Sequence, residues 1–187
     1  MGYKNHESRH IFLAIGVLIG LLSPLFLAFL PQLVANIFHY KNGVWNVFAP
    51  GENFIAFGIG FFFLFVASMV LFLMGFKRKS LVISCMILLL SLSSFYVGAQ
   101  SYKILADDSI SYRPILTSKE RTYNWEDVEK IVRIDYVNEG YNEYEFCFTD
   151  GESLKLKNSN YFRQIRNKFD RKVKELDIAI ESVKIEE

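Results

Sequence analysis

Five residues near the N-terminus, His6-Glu7-Ser8-Arg9-His10, have the types and spacing that could do chemistry. On a helix, histidines four apart share one face and can hold a zinc ion, with the glutamate placed as general base. That would be an intramembrane metalloprotease built on His6, Glu7 and His10. Three features weigh against it. Arg9 puts a cation between the ligands, no helix precedes the motif to position it, and the third histidine, His39, lies beyond the next apolar run. A solvated tail is expected here, with no catalytic residue, no metal and no cofactor.

No other set of reactive residues competes with it. Histidine is absent after His39, so neither a Ser-His-Asp nor a Cys-His arrangement can form in the second half of the chain. There is no glycine-rich phosphate loop, and Glu139, Glu143 and Glu145 lack the spacing of a calcium loop. Cys85 falls within an apolar run and Cys147 within a strand, so no disulfide is implied. The expectation is a protein that is not an enzyme.

One charged cluster remains. Arg163, Arg166, Lys168, Arg171, Lys172 and Lys174 crowd one stretch in which Asp170 is the only acid. They are the candidate residues for contact with an anionic surface. The plainer alternative is the wet face of an amphipathic helix. Nucleic acid is not an expected partner, because residues 103–187 carry 15 Lys/Arg against 18 Asp/Glu.

The elements that must position these residues are dominated by three apolar runs. Residues 54–76 and 81–102 hold no charge and flank Lys77-Arg78-Lys79-Ser80. Each exceeds the roughly 20 residues that cross a bilayer as a helix. A first run, residues 11–38, is read as a retained helix near 11–30, kinked at Pro24 or ending before Pro31, rather than a cleaved signal. Gly16 and Gly20 make a small-xxx-small pair suited to helix–helix self-association. The loop 39–53 carries Tyr40, Trp45 and Phe48, which suit a membrane–water interface. No acid or base lies inside a span, which argues against an ion pathway, and the serines of the third run can bond to their own helix.

The membrane part is therefore 1–102 and a soluble domain follows at 103–187. Lys4, Arg9, Lys77, Arg78 and Lys79 share one side of the membrane, against Lys41 and Lys103 close to the other. That bias places the N-terminus and the turn in the cytoplasm and the soluble domain outside a cell membrane crossed several times. In the domain, short alternating pieces at 103–106, 110–113, 121–123, 130–137, 144–149 and 153–157 read as strands, with Asp150-Gly151 as a hairpin turn. A helical stripe follows near 159–180: Phe162, Ile165, Phe169, Val173, Leu176 and Ile180. Strands followed by one amphipathic helix make a small α+β domain.

Tyr123, Trp125, Asp127 and Val128 ahead of a strand, then the Asp150-Gly151 hairpin and a last amphipathic helix, resemble a known arrangement. The chain is similar to bacterial multi-pass membrane proteins carrying a C-terminal pleckstrin-homology-like (PH-like) domain. The resemblance implies a bent β-sheet barrel capped by the helix, with Trp125 and Val128 as core anchors. It departs from that family in showing six strands where seven are expected, and in facing the domain outward. The implied function is a non-enzymatic interaction module at the membrane surface, meeting the bilayer or a membrane or envelope protein in protection or immunity. An accessory subunit of a transport or secretion complex is the alternative of a different class.

Overall fold

A computed structural model describes residues 3–185 of the chain, with side chains from Arg9 onward. They form two compact units: residues through Phe38 with Ala49–Ser101, and His39–Phe48 with the residues from Tyr102 on.

The first unit is helical: α1 (Tyr3–His39), α2 (Gly51–Met74) and α3 (Arg78–Gln100). All three are long and apolar enough to cross a membrane. Even α3, with 23 residues, extends about 34 Å at ~1.5 Å per residue, against a hydrocarbon core of ~30 Å. This is a membrane protein.

Against expectation, α1 does not stop near Leu30 but runs through Pro24 and Pro31 to His39. A proline removes one amide from the ladder, whereas ending the helix inside hydrocarbon would orphan several carbonyls. Pro24 deprives the Gly20 carbonyl of its partner, and the Ser23 hydroxyl donates to that carbonyl at 3.3 Å. Both later helices begin about three residues earlier than expected. Ser80 closes the turn between them, accepting from the Lys77 amide at 3.0 Å and donating to the Gly75 carbonyl.

The serines of α3 also correct the sequence reading. Past the first turn, Ser93 bonds back to its own helix, at the Leu89 carbonyl. Ser84, Ser91 and Ser94 instead donate across to the α2 carbonyls of Ala67, Gly60 and Ala56, at 3.1, 2.7 and 2.7 Å. Ser84, Ser91 and Gly98 are seven residues apart, so every second turn presents a small group to α2 and the backbones can approach.

The second unit holds eight strands. One sheet has the order β1-β2-β3-β4: β1 (Val44–Phe48), β2 (Tyr102–Ala106), β3 (Ser109–Arg113) and β4 (Arg121–Asn124). After a short 3₁₀ turn come β5 (Val128–Tyr136), β6 (Tyr141–Phe148) and β7 (Ser153–Lys157). Then follow the helix α4 (Asn160–Glu175) and β8 (Ala179–Ile185). The second sheet has the order β7-β6-β5-β8, and β8 pairs with β5 in parallel while every other pairing is antiparallel.

Two expectations change here. The loop 39–53 contributes β1, whose Val47 and Phe48 are buried, so Phe48 is a core residue and not an interfacial one. Trp45 packs on Trp125 at 5.3 Å between ring centres and donates to Asp107 at 2.6 Å. The terminal helix stops at Glu175, and Ile180 lies in β8. Asp177 takes a positive φ of 52° just past the helix, a left-handed turn that redirects the chain.

The core joins both sheets and α4. Trp125, Phe146, Phe148, Phe162 and Phe169 are fully buried, with Val128, Ile131, Leu154, Leu156 and Ile165 around them. Trp125 also donates its indole N–H to the Ala106 carbonyl at 3.0 Å, which satisfies its one polar atom.

Candidate functional site

The helical spacing of the histidine motif exists, since α1 begins at Tyr3 and so includes it. The side chains of His6 and Glu7 lie outside the described residues. Arg9 is a structural residue. Its guanidinium donates to the Phe72 carbonyl at 2.8 Å and the Leu73 carbonyl at 3.0 Å, two of the orphan acceptors at the end of α2. His10 sits beside the Phe72 ring, 6.4 Å between centres. Among the described residues no three His, Cys, Asp or Glu side chains converge as a metal site.

The candidate cations of α4 lie where an amphipathic helix puts them. Phe162, Ile165, Phe169 and Val173 face the core, stacking Phe162 on Tyr144 at 4.9 Å and Phe169 edge-on to Phe146 at 5.9 Å. Arg163, Arg166, Lys168, Arg171 and Lys174 are exposed and Lys172 is half-buried. Arg166 pairs with Asp170 at 3.6 Å. At about 100° per residue these six fan around most of the polar face and do not form a stripe. Of these six, Arg163 lines a concave site.

That site is a cleft of about 320 Å³ at the turn between β5 and β6, lined by Asp135, Tyr136, Tyr141, Asn142, Asn158 and Arg163 among others. The register of the β5–β6 hairpin sets Tyr136 opposite Tyr141, whose rings stack at 4.8 Å as one wall. Asn158 follows β7, and its amide donates to the Asn142 carbonyl at 2.9 Å. Its side-chain Oδ1 is buried with no hydrogen-bond partner. Asp135 is held by Arg133 at 3.0 Å, whereas Arg163 forms no ion pair among the described residues. Loss of solvent around the hydroxyl, with Glu139 beside it, pushes Tyr141 up to about 12, so it stays a neutral donor at physiological pH.

The cleft therefore offers the Arg163 guanidinium beside a pair of stacked tyrosine rings, with no nucleophile–base pair among the described residues. It can bind a group with acceptors for the guanidinium and an apolar face for the rings, as a peptide segment has. Sequence reasoning found Arg163 but missed Asn158, whose backbone partner Asn142 lies on β6, a separate strand. The chain matches no known protein family, no curated protein and no solved structure.

Proposed function

We propose that the chain is a non-enzymatic integral membrane protein presenting a PH-like interaction module at the membrane surface, in envelope protection or immunity. The order of elements supports the resemblance. Seven antiparallel strands, four in one sheet and three in the other, precede an amphipathic helix that covers their apolar side, and β1 supplies the seventh strand missing from the sequence count. Trp125 and Val128 sit in the core where the resemblance places them.

The cleft beside Arg163 is the binding site of this module. One observation carries that reading: Arg163, which forms no ion pair among the described residues, lines a cleft walled by the stacked Tyr136 and Tyr141 rings. The occupant is a segment of a membrane or envelope protein. A photo-crosslinker at Tyr161 should capture a discrete partner in native membranes, and Arg163→Glu should abolish capture. An unchanged pattern with Arg163→Glu would sink the assignment.

The domain faces outward, by the excess of cations on the side of the N-terminus and the α2–α3 turn. Its strands leave the helices through connections of one to four residues: α1 ends at His39 and β1 begins at Val44, while α3 ends at Gln100 and β2 begins at Tyr102. Such connections tether the module to the membrane.

A further inference from the structure

The apolar unit contains a cleft that its own side chains leave open. It measures about 180 Å³ and is lined by Phe12, Ile15 and Ile19 of α1, Leu64 and Leu71 of α2, and Leu88 of α3. The two serines along it, Ser68 and Ser84, already donate to the carbonyls of Phe12 and Ala67. The cleft therefore asks for no polar ligand. Within hydrocarbon an unfilled groove forfeits dispersion contacts along its walls, and an acyl chain restores them.

The end of this cleft leads to charge. Phe12 stacks on Phe76 with ring centres 5.8 Å apart, and Phe76 immediately precedes Lys77-Arg78-Lys79. All three cations are exposed, and none forms an ion pair among the described residues. The first turn of α3 contains no acid, so the positive end of that helix adds to the same field. Arg9, the nearby cation, is committed to the end of α2.

We propose that this groove and turn form a site for one anionic phospholipid, its acyl chain between α1 and the α2–α3 hairpin and its phosphate at Lys77, Arg78 and Lys79. The site rests on the helices crossing the bilayer, which resistance to alkaline extraction from membranes tests separately.

Full-length protein, incubated in vesicles of phosphatidylcholine and phosphatidylglycerol and repurified, is assayed by mass spectrometry for retained lipid. Phosphatidylglycerol should be enriched over phosphatidylcholine. Each cation near an anionic surface contributes about fivefold, so Lys77→Gln/Arg78→Gln/Lys79→Gln should cut that enrichment on the order of a hundredfold. Lys41→Gln, at the opposite end of α1, should leave it unchanged. Ile15→Trp, which fills the groove, should reduce retention of both lipids. Equal retention of the two lipids by the unaltered protein overturns the proposal, as does enrichment that survives the triple substitution. So does crosslinking of the Ile15→Cys variant between copies with no lipid retained, because a second α1 would then occupy the groove.

Discussion

Arg9 illustrates how a side chain can sit in a catalytic-looking motif and serve another purpose. It meets two carbonyls of the α2 terminus that have no amide partner, and charge-assisted bonds of this kind contribute more than neutral ones. Arg9→Gln should destabilise the helical unit by about 1–2 kcal/mol, measured by denaturant titration in detergent. Asp150 gives a pH signature. The Glu152 amide and the Tyr123 hydroxyl donate to it at 3.0 and 2.8 Å and hold its carboxyl below its usual range. A carboxylate depressed on folding stabilises the native state above its unfolded pKa of about 4 and loses that contribution as pH falls through the folded value. Melting temperature of the sheet unit should therefore drop on acidification below about pH 4, and Asp150→Asn should flatten part of that slope.

At the scale of elements, the α2–α3 pair interlocks small residues with rings: Phe95 packs edge-on to Phe57 and Phe61, and Gly60 and Gly98 leave room for the Phe95 and Phe57 rings. A Cβ at Gly60 would lie 2.6 Å from the Phe95 ring, so Gly60→Ala must displace that ring from its packing on Phe57 and Phe61. A loss of about 1–3 kcal/mol is expected from such overpacking. Ser91→Val, which removes one cross-helix bond, should cost about 0.6–1 kcal/mol, and fluorescence transfer between labelled helix ends under denaturant would rank the two. On α4 the contrast lies between faces of one helix. Phe169→Ala should cost about 3–5 kcal/mol, while Lys168→Ala should fall within about 0.5 kcal/mol of zero, both by chemical unfolding. The stripe of α4 was legible because apolar residues recur every three or four positions. Its end was not, because Leu176 and Ile180 keep that spacing while Asp177 turns the chain out of the helix.

For the whole molecule, the decisive fact is that the sheet unit draws on two separated stretches of chain. Val47 is fully buried and Phe48 is part of the core, although both precede α2. Residues 102–187 expressed alone should therefore lack cooperative unfolding, and adding a peptide of residues 39–48 should restore it; a cooperative transition without the peptide would refute this. The same connectivity puts β1 on the side of the membrane where β2 emerges. With the outward orientation proposed above, protease added to intact cells should degrade epitopes in both 39–48 and 103–187 and spare the Lys77–Lys79 turn.

Composition alone determined the membrane helices, since charge-free runs longer than twenty residues have few other stable states in water or lipid. It also determined the alternating strands and the buried face of α4, because those periods are local. Three things depended on contacts between residues far apart in the chain: the pairing of β1 with β2, the parallel addition of β8 to β5, and the donation of α3 serines to α2 carbonyls. No local period encodes such a partnership. Each is settled only when the collapsed chain must find partners for its buried amides, carbonyls and hydroxyls.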